Sequence, residues 1–432
     1  MTKTKYFFKK GQKVHMIGVS GIGMSALAAF LVNLGCKVTG SDMVQSLDVP
    51  EKVKFLGEQD AKNVKKGIDI VIASHAITLD NPEVDKAEKL GVPILTYPEA
   101  VAELTKGYKL VAVTGSHGKS TTTSMLAKVL IECGVDPNVI VGTRSPDLDG
   151  KNYRIGKSDI FVIEACEYRE SMLHYEPDVA VITNIEPDHL DYYKTAENYF
   201  KAFKKFLKKV KKGGTVIFNG DDKASLDIVE GHKGNTEIVS MKNSEHLDLK
   251  VIGHYNQYNA WGAVKAAVEL GVSEEDAVNA VCQFEGTWRR LEYKGECNGA
   301  KIYDDYGHHP TEVDATLKAL THAYPHKHIV CVFQPHQYSR TKHFFHEFVQ
   351  ALQGAYVVII PDIYEVSGRE EEPEFDVDDF VDAINDYEEI NRATNGEGLE
   401  NTAGMLRREL EASDICVIMG AGNITELCGM IV

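Results

Sequence analysis

The first residues that could carry chemistry form a glycine-rich turn within Val111–Thr121, VAVTGSHGKST. An apolar run typical of a strand leads into the turn, and a helical pattern begins at Lys119. Backbone N–H groups at a helix start can bind phosphate, Lys119 can neutralise the β- and γ-phosphates, and the Ser120 hydroxyl can reach Mg²⁺. The spacing Gly-x-x-Gly-Lys-Ser is tighter than in most phosphate loops, and a chance glycine-rich turn is the alternative. The strand–turn–helix order favours a nucleotide-phosphate site.

A second glycine-rich turn, with Gly18, Gly21 and Gly23, also lies between a predicted strand and a predicted helix. Asp42 ends the next strand, where an acidic side chain can bind a ribose hydroxyl. A dinucleotide site, a UDP site and close helix–strand packing would all produce this pattern, so the ligand stays open. Two such turns in one chain indicate two nucleotide-bearing ligands, one an energy source and the other a nucleotidyl substrate.

Acidic and imidazole side chains follow two further predicted strands. Glu164 ends the strand 159–164, and Asp188 and His189 follow the strand 179–184. Ligands of parallel α/β sheets bind at the carboxyl ends of strands, so Glu164 and His189 should approach the phosphates held by Lys119. Mg²⁺ prefers such hard ligands. A structural hydrogen bond is the alternative for each residue alone, and the phosphate loop favours metal binding.

Two more polar clusters lie in the last third of the chain. Asp304-Asp305-Tyr-Gly-His308-His309 ends one predicted strand, and the run from Gln334 to Arg340 follows another. Arg340 could hold a carboxylate through two parallel hydrogen bonds. Eight of the 16 histidines lie between positions 308 and 346, but no zinc-ligand spacing accompanies them.

Short β-rich runs alternate with longer helical ones, which is typical of stacked βαβ units. We therefore expect an α/β chain of three domains, each built on a mostly parallel sheet with flanking helices, with boundaries near 105–108 and 285–287. The Lys-rich stretch 201–212 carries apolar residues at helical spacing and predicts an amphipathic helix, and the acidic stretch 370–379 predicts a solvated loop that leads into a helix. The predicted strands are 14–19, 37–41, 68–74, 92–97, 109–114, 160–165, 179–184, 215–219, 301–305, 328–334, 356–361 and 414–419.

Composition excludes some classes of protein. Asp and Glu total 64 against 47 Lys and Arg, a net charge of −17, so the chain is unsuited to long nucleic acid. Eight scattered cysteines without a Cys-x-x-Cys pair predict free thiols in a reducing compartment. No apolar run resembles a signal peptide or a membrane span, which predicts a cytoplasmic protein.

Taken together, the motifs resemble the Mur ligase family of peptidoglycan synthesis, and the match runs through nearly the whole chain. Their order and spacing are more specific than any single motif. The landmarks are GVSGIGMSALA (18–28), GSD (40–42), NPE (81–83), TGSHGKSTT (114–122), EACEY (164–168), TNIEPDHLDYY (183–193), YNQYNA (255–260), RRLEYKGE (289–296), IYDDYGHHPTE (302–312), FQPHQYSRT (333–341) and MGAG (419–422).

This resemblance implies an N-terminal UDP-substrate domain (1–106), a central ATPase domain (107–286) and a C-terminal Rossmann-like domain that brings the amino acid (287–432). It is strongest to the members that join L-alanine to UDP-N-acetylmuramate through an acyl phosphate, with ATP and Mg²⁺. The implied partners are small molecules, without nucleic acid or membrane insertion, in a monomer or homodimer. The same resemblance leaves a recycling ligase that adds a tripeptide, or a non-catalytic regulator of wall synthesis, as alternatives.

The resemblance also assigns roles residue by residue. The implied ATP-binding residues are Gly115, Ser116, His117, Gly118, Lys119, Ser120, Thr121, Asn256, Asn259 and Arg290. The implied UDP-substrate residues are Gly21, Gly23, Asp42 and Ser74, the amino-acid residues Tyr306, His308 and Arg340, and the metal ligands Ser120, Glu164 and His189. The implied catalytic residues are Lys119, His308, Asp305 and Arg340, with His308 as the base and Asp305 orienting it.

Some positions depart from the family pattern. Tyr255 stands where the family usually has His, and Gln337 where Arg is common, so carboxylate binding would depend on Arg340. Lys204 lies loosely near the position where other family members carry a modified lysine, and we assign it no role.

Overall fold

A computed structural model describes residues 8–78, 80–365 and 375–432, apart from the side chain of Asp191. Within these residues the chain forms three mostly parallel sheets with flanking helices, as the sequence predicts. Each predicted strand overlaps an observed one, with ends that differ by a residue or two. The edge strands 54–55, 151–154, 235–239, 292–297 and 393–395 were not predicted, because they are largely polar or exposed and lack the apolar pattern of buried strands. The internal strand 138–145, which is mostly buried, was not predicted either.

The first sheet is parallel throughout, with strand order β3-β2-β1-β4-β5. In such an order, connections leave β1 and β4 on opposite sides, and a crevice opens between their carboxyl ends. The strands are β1 Lys13–Ile17, β2 Lys37–Ser41, β3 Lys54–Phe55, β4 Ile70–Ala73 and β5 Ile94–Thr96. The helices are α1 Ile22–Asn33, α2 Pro82–Leu90 and α3 Tyr97–Thr105.

The second sheet has the order β12-β11-β10-β6-β9-β7-β8, parallel except for the β7–β8 pair. The central strand β6 has β10 on one side and β9 on the other, so the loops after these three strands meet at one edge. The strands are β6 Lys109–Thr114, β7 Asn138–Ser145, β8 Lys151–Arg154, β9 Ile160–Glu164, β10 Val179–Ile182, β11 Thr215–Asn219 and β12 Asn235–Val239. The helices are α4 Lys119–Glu132, α5 Leu190–Tyr193, α6 Ala196–Leu207, α7 Lys223–Val229, α8 Tyr255–Glu269 and α9 Glu274–Val281.

The third sheet has the order β13-β14-β18-β15-β16-β17, parallel except for the β13–β14 pair. The strands are β13 Glu292–Cys297, β14 Ala300–Asp305, β15 His328–Phe333, β16 Val357–Ile360, β17 Ala393–Asn395 and β18 Asp414–Met419. The helices are α10 Pro310–Ala323, α11 Tyr338–His343, α12 Phe345–Leu352, α13 Val377–Tyr387, α14 Leu399–Glu409 and α15 Glu426–Ile431.

The first two sheets share one hydrophobic core. Phe30 of α1 lies with its ring centroid 5.0 Å from that of Phe161 on β9, and both side chains are buried. The chain accordingly divides into two compact units, residues 8–248 with 258–284, and residues 249–257 with 285–432. The predicted domain boundaries lie between α3 and β6 and after α9, and they stay predictions.

The predicted amphipathic helix, free thiols and absence of a membrane span can also be compared with the structure. The predicted amphipathic helix is α6, which buries Phe203, Phe206 and Leu207. All eight cysteines are described and free. Residues 370–374 of the acidic stretch lie outside the described residues. In the part of the chain that the structure describes, no helix has the length and apolarity needed to span a bilayer.

Candidate active site

The turn after β6 can be built only with glycine at two positions. Gly115 has φ +136°, and a Cβ there would lie 2.1 Å from Oγ1 of Thr183. Gly118 has φ +81°, and its Cβ would lie 2.4 Å from Oδ1 of Asn259. A side chain at either position would combine an unfavourable φ with a collision. The glycines therefore let the backbone of residues 115–118 turn tightly into the start of α4.

The end of β10 fixes this turn from the side. Thr183 Oγ1 donates to the His117 carbonyl over 2.5 Å, and Asn184 both donates to that carbonyl and accepts from the His117 N–H, each over 3.0 Å. The hydroxyl of Ser116 donates to the Glu186 carbonyl over 2.7 Å. Glu186 also lies beside His117, with Oε2 3.1 Å from Nε2. The loop is thus held in shape by its neighbours before any ligand binds.

Lys119 begins α4 and turns its side chain back over the loop. Its Nζ donates to the carbonyls of Gly115 and Ser116 over 2.7 and 2.9 Å, and to Oε1 of Glu167 over 3.1 Å. Burial opposes the charged ammonium, but the carboxylates of Glu167 and Glu164 outweigh it and raise the pKa of Lys119. The ammonium is therefore charged and aimed at the edge of the sheet where a phosphate would bind.

Two predicted metal ligands meet next to this lysine. The Ser120 hydroxyl donates to Oε2 of Glu164 over 2.8 Å, and the Gly142 N–H donates to the same oxygen over 2.8 Å. Because Ser120 is on the first turn of α4 and Glu164 ends β9, adjacent parallel strands bring the pair together. Thr121 is buried in the same first turn.

His189 stands at the start of α5 with φ +53°, a conformation that is uncommon outside glycine and often found at functional sites. Its Nε2 lies 3.7 Å from Oε1 of Glu167 and 3.7 Å from Oδ2 of Asp188. The ring of Tyr168 packs against the imidazole, with 4.7 Å between centroids. His189 therefore reaches the same edge of the sheet as Lys119.

These residues fit a magnesium site that nucleotide phosphates complete. They offer a hydroxyl, carboxylates and an imidazole, and the buried Glu167 carboxylate has its two oxygens 3.1 and 2.9 Å from Nζ of Lys119. Glu164, Glu167 and His189 do not bring three ligand atoms within 4.8 Å of one another. Such an open arrangement suits Mg²⁺, which usually keeps waters and phosphate oxygens among its ligands.

The two asparagines predicted near the adenine have different surroundings. Asn259 lies against the loop, where its Oδ1 accepts from the Thr122 hydroxyl over 3.2 Å and faces Gly118. Asn256 donates to the Ile252 carbonyl over 2.8 Å, within the second compact unit. The structure thus places Asn259 beside the loop, within the first unit.

On the predicted UDP side, Asp42 is hydrogen-bonded to the glycine-rich turn of residues 18–23. Its Oδ2 accepts from the Ser20 N–H over 2.9 Å. The preceding Ser41 donates over 2.5 Å to Glu83, a fully buried carboxylate on α2 that also faces His15 with 3.4 Å between Oε2 and Nε2. The Ser20 N–H therefore fixes the Asp42 side chain, and the preceding Ser41 is anchored by a buried network with Glu83 and His15.

The remaining UDP-side predictions are divided between the crevice and packing. Gly18 at the end of β1 and Ser74 at the end of β4 face each other, since a Cβ on Gly18 would lie 3.0 Å from that of Ser74. Gly21 caps the start of α1. A Cβ on Gly23 would lie 2.8 Å from the ring of Tyr97, so close packing is a sufficient reason for this glycine. Gly18 and Ser74 therefore lie at the carboxyl ends of β1 and β4, where the strand order places a crevice.

In the second compact unit, two predicted amino-acid residues lie together. The His308 ring centroid lies 5.3 Å from that of Tyr306 and 6.0 Å from that of His336, so the loops after β14 and β15 meet. The carboxylate beside the imidazole is that of Glu312, with Oε2 3.5 Å from Nδ1 of His308. The sequence analysis did not assign Glu312 a role.

Asp305 was predicted to orient His308, but its carboxylate binds other groups. Its oxygens accept the backbone N–H groups of Leu291 and Gly307, each over 2.8 Å. Burial raises the pKa of Asp305 to about 6, against the opposing charge of Arg290. The side chain is turned towards the backbone of the segment that carries Arg290, and Glu312 takes the place beside the histidine.

The two predicted arginines both lie in this unit. Arg290 has its guanidinium 5.4 Å from the Tyr306 ring centroid and 3.7 Å from Glu312. Arg340 lies on α11, with its guanidinium 5.8 Å from the Phe344 ring centroid.

Sequence reasoning missed Glu167, Thr183, Asn184 and Glu312 as site residues. Glu167 follows Glu164 by three positions within EACEY, and a second acid so close to a predicted metal ligand was the available signal. Thr183 and Asn184 stand directly after β10, where strand ends are expected to carry polar ligands.

Three family models match successive parts of the chain. The model for the Mur ligase family, catalytic domain, matches residues 13–109, the Mur ligase middle domain matches 113–243, and the Mur ligase, glutamate ligase domain matches 289–422.

Two relatives that the chain covers along almost their full length share one name. The UDP-N-acetylmuramate–L-alanine ligase of Clostridium kluyveri is 36% identical, and the alignment covers 97% of this chain and 98% of that protein. The protein of the same name from Aquifex aeolicus is 36% identical, with 96% of each chain covered. Among solved structures, a UDP-N-acetylmuramate–alanine ligase from Thermotoga maritima superposes with a TM-score of 0.80 at 26% identity, covering 97% of this chain and 98% of that one. The chain belongs to the Mur ligase family.

Proposed function

We propose that the protein is an ATP-dependent ligase that joins L-alanine to UDP-N-acetylmuramate during the synthesis of peptidoglycan precursors. The observation that carries this proposal is the loop of residues 115–118 with Lys119 above it and the Ser120–Glu164 pair beside it. The relatives' shared name supports the choice of substrates.

The first step transfers the γ-phosphoryl group to the lactyl carboxylate of UDP-N-acetylmuramate. A carboxylate oxygen attacks the γ-phosphorus, the bond to the β-phosphate oxygen breaks, and ADP leaves. Lys119 and the backbone N–H groups at the start of α4 stabilise the charge on the phosphates, which is the main source of catalysis in such transfers. Mg²⁺, held by Ser120, Glu164 and His189, would neutralise further phosphate charge.

The second step forms the amide bond. The amine of alanine attacks the carbonyl carbon of the acyl phosphate, and phosphate leaves. Attack needs an uncharged amine, so a base must take its proton, and His308 with Glu312 beside it is our candidate. Arg340 is the candidate partner of the alanine carboxylate. The predicted cytoplasmic location and the choice between monomer and homodimer stay predictions.

Phosphate release tests the proposal. With ATP, Mg²⁺ and UDP-N-acetylmuramate, release should be fast with L-alanine and slower with other amino acids. Lys119→Met should lower the rate by at least about a hundredfold, the loss typical of removing one group that stabilises the transition state. Lys128→Met is the matched control, because Lys128 is on the same helix but pairs with Glu132 and Asp147.

Three results would contradict the proposal. A tripeptide that outperforms alanine would identify a recycling ligase. No phosphate release with both substrates would favour a non-catalytic regulator. Equal rates for Lys119→Met and Lys128→Met would show that the loop does not hold the reacting phosphate.

A further inference from the structure

Glu167 is a buried acid at the centre of the site to which the proposed mechanism gives no task. Its side chain is only 1% exposed, and its two oxygens lie 3.1 and 2.9 Å from Nζ of Lys119. Its backbone carbonyl accepts hydrogen bonds from the Tyr193 hydroxyl and from the N–H of Glu170. The residue is therefore fixed in place, and its charge is not exposed to solvent.

Glu167 occupies one of the few hydrogen-bond donors of Lys119. An ammonium group has three N–H donors. In this structure two of them go to the carbonyls of Gly115 and Ser116 and the third to Glu167. Both carbonyls belong to the loop itself and stay with it. A phosphate oxygen that binds Lys119 must therefore take the donor that Glu167 now holds.

We propose that Glu167 is an internal counter-ion that occupies the phosphate position on Lys119 and makes nucleotide binding depend on a divalent cation. The inference rests on the proposed ATP site. When a phosphate displaces Glu167 from Lys119, the carboxylate becomes a buried negative charge beside another anion. This arrangement is unfavourable unless another positive charge replaces the lysine.

The surroundings show what that positive charge would be. Oε2 of Glu167 lies 2.9 Å from Nζ of Lys119 and would lose this contact when the lysine binds a phosphate, while Nε2 of His189 lies 3.7 Å from Oε1. A divalent cation that arrives with the nucleotide would compensate the carboxylate as the lysine turns to the phosphate. Without the cation, Glu167 competes with the phosphate for Lys119 and repels it.

The test measures the affinity for ATP, by calorimetry, in excess Mg²⁺ and again in EDTA. The ratio of the two dissociation constants reports the dependence on the cation. In Glu167→Gln this ratio should fall by at least about tenfold, because removing one unit charge near the phosphates mainly strengthens cation-free binding. A loss of packing alone would change both dissociation constants together and leave their ratio unchanged. Glu170→Gln is the matched control, since Glu170 lies three residues away and pairs with Lys205 at the surface; its ratio should stay within about twofold of wild type.

The outcomes separate this inference from the proposed function. A wild-type protein that does not bind ATP in Mg²⁺ would overturn both. A wild-type protein that binds ATP, with the same ratio in Glu167→Gln as in wild type, would overturn the counter-ion role alone. If Glu167→Gln does not fold, Glu167→Asp replaces it, because the shorter side chain withdraws the carboxylate from Lys119. Its ratio should fall at least about threefold, and an unchanged ratio overturns the inference.

Discussion

Substituting Gly118 by alanine should weaken ATP binding more than the cost of the left-handed backbone conformation alone would explain. Gly118 has φ +81°, and a Cβ there would lie 2.4 Å from Oδ1 of Asn259. Gly134, just beyond the other end of α4, has φ +76° and nothing within 4 Å of its Cβ position. The two glycines therefore share a backbone conformation and differ in what a methyl group would meet.

The expected magnitudes follow from this difference. Placing alanine in the left-handed region costs about 1–2 kcal/mol at either position. At Gly118 the collision must also move Asn259, whose hydrogen bond from Thr122 is worth about 1 kcal/mol. If the shift of the loop removes one backbone N–H from a phosphate, it should cost about 1.5–3 kcal/mol of binding, roughly a 10- to 150-fold loss of affinity.

The assay measures the dissociation constant for ATP with Mg²⁺ and the thermal unfolding of both variants. Gly118→Ala should bind ATP at least about tenfold more weakly than wild type. Gly134→Ala should lose stability by about 1–2 kcal/mol but bind ATP within about twofold of wild type. Equal affinities for the two variants would show that the loop conformation at Gly118 does not shape the phosphate site.

Three further results are expected. Asp305→Asn should flatten the pH dependence of thermal unfolding. The folded-state pKa of Asp305, about 6, exceeds the unfolded value, so the free energy of unfolding of wild type falls by up to about 3 kcal/mol as pH rises from about 4 to 7. The same slope in the variant and in wild type would contradict this. Glu83→Ala should destabilise the protein by about 3–5 kcal/mol because it leaves the buried His15 without its carboxylate, whereas Asp85→Ala, exposed on the same helix, should cost less than about 1 kcal/mol. Glu164→Gln should raise the Mg²⁺ concentration for half-maximal phosphate release by at least about tenfold, and an unchanged value would remove Glu164 from the metal site.

The parts that sequence predicted best depend on local chemistry. The loop with Lys119 and Ser120 was predicted because a buried strand, two glycines and a helix start follow one another in the chain. Glu164 was predicted from the rule that strand ends carry ligands, and the structure brings it to Ser120. These signals need only the neighbours in sequence.

The parts that sequence did not predict depend on residues distant in the chain. The glycine at position 23 looked like part of a ligand turn, but the ring of Tyr97, from another helix, fills the space beside it. The common core of the first two sheets depends on contacts such as Phe30 with Phe161, which no local pattern encodes.

Glu167 was missed for another reason. It precedes an irregular 3₁₀ segment in which Arg169 and Glu170 have φ of +52° and +55°, so no helical or strand period indicated which way its side chain points. Its burial against Lys119 became visible only in three dimensions.

Isotope labelling can show whether a triphosphate held by Lys119 phosphorylates the carboxylate of the sugar nucleotide. UDP-N-acetylmuramate labelled with oxygen-18 in its lactyl carboxylate is incubated with ATP, Mg²⁺, L-alanine and the enzyme. Each amide bond formed should transfer one labelled oxygen to the released inorganic phosphate, because that oxygen bridges carbon and phosphorus in the acyl phosphate. Unlabelled phosphate, or label recovered in AMP, would contradict it.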